Sequence, residues 1–397
     1  MDVTLTKDQK DILEKAEWLA EECLGPRAAE YDREAKHPIE SWKDVWKQGL
    51  LGLAVPKEYG GLGLDMPTYV MTVERLAYGC TSTGMTVHMH SVVQRYIDGL
   101  ATREQKQVFY SDVIEKGRMF GSWGSEPERR GGTGVGDTVL APKDGGYELN
   151  GRKHFCTMAG ATHRSLVHCT MEGYDKVSGY ILALVPETTP GVNIVGEWDT
   201  IGMRATVSPA VHFEKCMLTE EDVLGEPGRG DKLGIGQGFG LGYSAVFIGA
   251  AQKALDFVKE YANTHQFDPE PVPLSHSLVV QRHVAEMTMA LEGARLVLYN
   301  GASQWEKSNP YERAVLGARA KYLATEASLM VTSKAIQTVG GRSAHRSLPL
   351  DRIFRDIRTC TLMPPNPDRA MEIIGRAELN VGSEGDDMLT RLSPYVS

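Results

Sequence analysis

The chain has 397 residues, a formal net charge of −9, and 42% hydrophobic against 24% charged residues. That length allows two or three packed units with large cores. The acidic balance, with a pI near 5.7, argues against a basic nucleic-acid-binding face, and no apolar run approaches the roughly 18–20 residues that cross a bilayer.

The N-terminus is polar and helical rather than a secretory signal. Residues 7–24 place Ile12, Leu13, Ala16, Leu19, Ala20 and Cys23 on one helical stripe, which Gly25-Pro26 ends. Helical patterns continue over 40–118, broken by a Gly-rich loop at 53–65. From 119 the pattern changes. Short apolar or alternating runs at 138–140, 147–149, 152–155, 166–170, 180–185 and 192–194 are separated by turn clusters at 143–146, Asn150-Gly151 and 186–190. This pattern predicts antiparallel β-structure.

A second Gly-rich run, at 225–242, leads back to helical spacing. There Met287, Leu291, Ala294 and Leu298 share one stripe, and Ala327, Met330, Val331 and Lys334 lie on a further helix. Within the run, GIGQGFG has the spacing of a dinucleotide loop, but no βαβ unit surrounds it, so it reads as a flexible joint. Six cysteines (Cys23, Cys80, Cys156, Cys169, Cys216 and Cys360) are scattered without metal-like spacing. They read as reduced thiols of a cytoplasmic protein, with no metal site.

Several segments occur in a telling order: VPKEYGGLGLD at 55–65, Glu104-Gln105-Lys106, Ser125-Glu126-Pro127 followed by Gly131-Gly132-Thr133, LNGRKHFCTMAGATH at 149–163, IGMRATVSPAVHFEKCML at 201–218, GAAQKA at 249–254 and AIQTVGGRSAHRSLPLDRIFRD at 335–356. Together they resemble the acyl-CoA dehydrogenase family over nearly the whole chain. The resemblance implies an α+β, mainly α fold: an N-terminal helical domain at 1–118, a central antiparallel β-barrel or sandwich domain at 119–228, and a C-terminal four-helix bundle at 229–397. It also implies FAD, an acyl thioester substrate on CoA or a carrier protein, an electron-accepting flavoprotein, and a homodimer or homotetramer.

A flavin ring is flat, apolar on its faces and hydrogen-bonding at its edge. By resemblance, Phe155 forms its wall and Thr157 lies near N5. Gly124, Ser125, Gly131, Gly132 and Thr133 meet the ring or ribityl chain. Gln337, Gly340 and Gly341 approach the pyrophosphate from a neighbouring subunit, where glycines admit phosphate oxygens. His265, Phe267 and Asn366 complete the cofactor set. His265 stands where members often carry arginine, and a nearby glutamine is displaced to Gln281.

The largest departure concerns the base. Family members take the α-proton with a glutamate in a Tyr-Glu-Gly-Thr run, but this chain has Met363-Pro364-Pro365-Asn366. An alternative glutamate position falls near Phe239 or Tyr243, and the residues that help bind the CoA arm map near Gly240 and Gln237. Three explanations follow. The base has moved, with His88 and His90 as candidates and Asp368 and Glu372 nearby in sequence. The chain is a silent partner of a homologous subunit. Or the chemistry is that of the flavin monooxygenases of this fold, although Cys360 and Met363 replace histidines of that branch.

Overall fold

The computed structural model describes residues 5–127, 137–175 and 178–381. Six helices come first. Helix α1 (Lys7–Trp18) is opened by a reciprocal Thr6–Gln9 cap and runs on as a π-helical turn at Leu19–Leu24. Then come α2 (Gly25–Glu34), α3 (Ile39–Lys47), α4 (Met66–Gly79), α5 (Thr81–Leu100) and α6 (Arg103–Ile114). The Asp65 side chain caps α4, and Thr102 with Gln105 caps α6. Nearly every residue of α5 is buried. Its period is therefore masked in sequence, because a helix apolar all round is enclosed on all sides.

Eight strands follow: β1 (Phe120–Trp123), β2 (Val139–Lys143), β3 (Gly146–Lys153), β4 (Arg164–Met171), β5 (Tyr180–Pro186), β6 (Val192–Val195), β7 (Ala210–Leu218) and β8 (Val223–Leu224). They form one sheet in the order β6-β7-β3-β2-β4-β5-β8, with β1 paired to β4 off this path. Most pairings are antiparallel, as the alternation predicts, but β1–β4 and β2–β4 are parallel. The expected turn at Asn150-Gly151 is instead a bulge inside β3, where the register against β7 shifts. Gly151 has φ +150°, and a Cβ there would lie 2.6 Å from Thr138. A glycine in a strand marks such a close approach as readily as a turn.

The C-terminal region comprises a short α7 (Arg229–Lys232), then α8 (Phe239–Thr264), α9 (Leu278–Gln304), α10 (Pro310–Val339), α11 (Pro349–Cys360) and α12 (Pro367–Glu378). Helices α8, α9 and α10 pack on one another, α8 also packs on α4 and α5, and α11 and α12 lie along α10. One continuous core joins the N-terminal helices, the C-terminal helices and one face of the sheet through Met158, Leu166, Leu182 and Leu184. A second core, with Trp123, Leu149 and Phe213, lies on the sheet's other side. Among the described residues no helix is long and apolar enough to cross a membrane, no cluster has the makings of a metal site, and the six cysteines are unbonded.

Arg355 and Asp356 pin this assembly together. Arg355 pairs with Asp32 of α2 at 2.7 Å and with Asp351 at 2.8 Å, and donates to the Ile201 carbonyl. The buried Asp356 carboxylate accepts from the Met203 amide at 2.6 Å. This one turn of α11 therefore fastens α2 and the segment before β7 to the C-terminal bundle.

Candidate functional site

After β1 the chain turns through Gly124, Ser125 and Glu126, and β3 runs past it into 154–158. The Ser125 carbonyl accepts from the His154 amide at 2.9 Å, and the Gly124 carbonyl from the Lys153 ammonium at 3.3 Å. Lys153 is fully buried and pairs with Glu126 at 2.8 Å. The Glu126 carboxylate also accepts from the amide and hydroxyl of Thr138. Burial pushes this carboxyl up. The Lys153 charge and the hydrogen bonds outweigh that and bring it down to about 2.

On this base stands Phe155, with φ +56°, a backbone region that bulky side chains rarely occupy. The residue is 55% exposed, and its ring lies 4.1 Å from the His154 ring between centroids and meets Trp198 edge-on at 6.1 Å. Two residues on, the buried Thr157 hydroxyl accepts from Ser208 at 3.3 Å, and its carbonyl accepts from the Trp123 indole at 3.1 Å. An apolar ring thus faces outward beside a fixed hydroxyl. Gly131, Gly132 and Thr133 lie outside the described residues.

The expected pyrophosphate residues fall into two groups. His265 stacks on Tyr261 at 3.7 Å between centroids, and its Nδ1 hydrogen bonds to the Tyr261 carbonyl at 3.0 Å. Phe267 follows, and over its ring lies the Arg342 guanidinium at 4.7 Å. Arg342 adjoins Gly340 and Gly341, where an added Cβ would meet nothing within 4 Å. One cation therefore links Phe267 to the end of α10, where Gln337, Gly340 and Gly341 are all exposed. Asn366 caps α12, its Oδ1 accepting from the Arg369 amide at 2.9 Å. Gln281 uses its side chain on the Ser275 carbonyl at 3.0 Å.

The residues around the missing base occupy a different environment. His88 is fully buried on α5, with its ring against Gly242, between Phe239 and Tyr243 at 5.9 and 5.1 Å. Its Nδ1 lies 2.7 Å from the Tyr69 hydroxyl. His90 is buried equally, and its Nδ1 accepts from the Phe120 amide at 2.9 Å. Burial pushes both imidazoles down to about 3. His90 therefore carries its one proton on Nε2. His88 shares its Nδ1 with the buried Tyr69 hydroxyl, which also hydrogen bonds with Ser91. Burial disfavours the protonated form of both rings, so neither is a ready proton acceptor.

Pro364 is exposed, and Glu372 is paired with Arg369 on α12. The buried Cys360 thiol is pushed well up by burial. On α10 the buried Lys321 amine is pushed down to about 8 by the same cause; its Nζ lies over the Phe247 ring and has no hydrogen-bond partner. Sequence reasoning also passed over Lys153, Arg342 and the Arg355–Asp356 pair. Each gains its meaning from a partner distant in sequence; the clearest hint was the run of charge in RIFRD.

Comparison with known proteins agrees with this layout. Residues 6–116 match the N-terminal domain of acyl-CoA dehydrogenases, 122–216 the middle domain and 241–363 the C-terminal domain. The human mitochondrial short-chain specific acyl-CoA dehydrogenase is 31% identical over 364 residues, covering 90% of this chain and 86% of that protein. The short-chain specific enzyme of Clostridium acetobutylicum is 28% identical, covering 90% and 94%. Among solved structures, butyryl-CoA dehydrogenase of Megasphaera elsdenii superposes with a TM-score of 0.88 at 26% identity, covering 96% of this chain and 100% of that one. TdsC of Paenibacillus sp. A11-2, solved with FMN and indole, gives 0.85 at 27%, covering 93% and 97%. Acyl-CoA dehydrogenases of this kind are FAD-dependent oxidoreductases acting on CH–CH bonds, and the present chain belongs to the acyl-CoA dehydrogenase family.

Proposed function

We propose that this protein is an FAD-dependent oxidoreductase that desaturates an acyl thioester and passes the electrons to an electron-transferring flavoprotein. The observation that carries the reading is Phe155. A large aromatic ring is held outward in an unfavourable backbone conformation, beside the fixed hydroxyl of Thr157. Strain of this kind persists where the surroundings enforce it, and it clusters at ligand sites. Phe155 and Thr157 fit a flat, edge-polar ring. Arg342 with the open Gly340-Gly341 turn fits a pyrophosphate. Bound FAD would supply the hydride acceptor. The chain's own residues orient the ring, exclude water from one face and fix a donor at its edge. Gly131, Gly132, Thr133 and Asn366 complete the proposed cofactor set, in a homodimer or homotetramer working in the cytoplasm.

The α-proton is not assigned to His88 or His90, because burial disfavours the protonated form of both imidazoles. The same observation favours a second reading, a flavin monooxygenase reaction that needs no α-proton base. Purified protein separates the two. The dehydrogenase arrives yellow, releases FAD on heating and bleaches with an acyl-CoA. A monooxygenase purifies colourless and consumes oxygen only with a flavin reductase. Protein that binds no flavin under saturating FAD or FMN would overturn both.

A further inference from the structure

Two short segments, 155–158 and 203–207, hold backbone conformations that side chains rarely adopt. Phe155 and Met158 have φ +56° and +69°, and Met203 and Val207 have φ +55° and +37°. The two are bonded to each other: the Met158 amide donates to the Thr206 carbonyl, and the Cys156 amide to the Pro209 carbonyl, both at 3.0 Å. Strain of this kind persists only where the surroundings enforce it.

At Met203 the enforcing groups are visible. Its amide donates to Asp356 Oδ1 at 2.6 Å, and its carbonyl accepts from the Trp198 indole at 3.0 Å and the Thr206 hydroxyl at 2.8 Å. From this carbonyl two branches reach the site. The Trp198 ring meets Phe155 edge-on. The Thr206 hydroxyl lies 3.0 Å from that of Ser208, which reaches Thr157 at 3.3 Å. Asp356, Met203, Thr206, Ser208 and Thr157 are all buried. A Cβ on Gly202 would run into the Arg355 carbonyl, so this segment lies hard against α11.

We propose that Asp356 is a positioning residue for the flavin site: through the Met203 backbone it sets the Trp198 edge against Phe155 and the hydroxyl of Thr157. This rests on the reading that Phe155 and Thr157 meet the flavin. The same helix runs on into Met363-Pro364, so the vacated base position and the flavin wall share one support. Burial pushes the Asp356 carboxyl up to about 6, against the pull of Arg352 at 4.0 Å, the Met203 amide and Arg355, while Asp32 of α2 adds to the rise. Cys80, before α5, and Cys360 also face it, and burial keeps both thiols protonated. Arg204, beside Met203, turns to the Asp32 carbonyl and to Asp199. Above about 6 the carboxylate makes a charge-assisted bond to the Met203 amide, and below it a neutral carboxyl holds that amide more weakly.

The test labels the protein with 5-fluorotryptophan and follows the Trp198 fluorine signal, assigned by its loss in Trp198→Phe, from about pH 5 to about pH 8. In flavin-free wild-type protein that signal should move with a midpoint near 6. Asp356→Asn keeps an acceptor oxygen without the charge and should hold the signal still. With FAD bound, the flavin absorption spectrum should shift over the same range, and Ser208→Ala should shrink that shift while the Trp198 signal still titrates. A Trp198 signal indifferent to pH, or one that titrates unchanged in Asp356→Asn, would overturn the proposal, as would a flavin spectrum constant across the range. Should Asp356→Asn fail to fold, Ser208→Ala decides: a flavin shift as large as the wild type's overturns the relay. Should no flavin bind at saturating FAD, the cofactor reading fails by itself, and the fluorine signal alone decides whether Asp356 sets Trp198.

Discussion

Lys153 and Glu126, 27 residues apart, meet as a buried ion pair at 2.8 Å, with Lys153 two residues before Phe155 in the chain. Glu126 in turn holds the amide and hydroxyl of Thr138 at the start of β2. The pair therefore joins the turn after β1, the end of β3 and the entry to β2. Lys153→Met should cost about 3–5 kcal/mol, because it leaves a buried carboxylate without its counter-charge. Urea unfolding measures this, and a loss below about 1 kcal/mol would refute the structural role.

The same carboxylate sets an acid limit. Its folded value of about 2 lies below the ordinary 4.5, so its stabilisation is complete above the ordinary value and fades as pH falls from there toward 2. Glu126→Gln should flatten the Tm-against-pH curve across that window. A curve as steep as the wild type's would show that other carboxylates govern acid unfolding.

Thr157→Val should weaken flavin binding or shift the flavin absorption spectrum, because it removes a buried hydroxyl, set by Ser208, two residues from the exposed Phe155. Reconstitution with FAD, followed by absorbance and fluorescence quenching, reads both. Identical affinity and spectrum would remove Thr157 from the site.

Arg342→Ala should raise the FAD dissociation constant by about tenfold or more, the scale of one lost charge-assisted contact. FMN has no pyrophosphate bridge, so its affinity should change far less. Equal losses for both nucleotides would place Arg342 elsewhere than on the pyrophosphate.

Pro364→Glu should not create strong acyl-CoA oxidation. Pro365 and Pro367 restrict the backbone on either side of Asn366, which is itself committed to capping α12. Acyl-CoA turnover in this variant at the rate of the family's glutamate-bearing members would prove the prediction wrong.

Order and spacing along one dimension made much of this molecule legible. The helix–strand–helix succession was readable because apolar periodicity and turn residues are local signals. The family, the proposed flavin residues at Phe155, Thr157 and Gly340-Gly341, and the absence of a glutamate at 364 came from the resemblance of ordered segments to that family. Other features depend on partners far apart in the chain. The parallel pairing of β1 and β2 with β4, the Lys153–Glu126 pair, the Asp32–Arg355 clamp and the placement of Arg342 over Phe267 exist only once the chain has closed. Chemical character was decided at that level too. TVHMHS offers two histidines that titrate near neutrality in water, but folding encloses both, strips their charge and, through the Phe120 amide, fixes the tautomer of His90. Sequence names the side chain, whereas solvation and hydrogen bonding, which only the packed structure supplies, determine what that side chain can do.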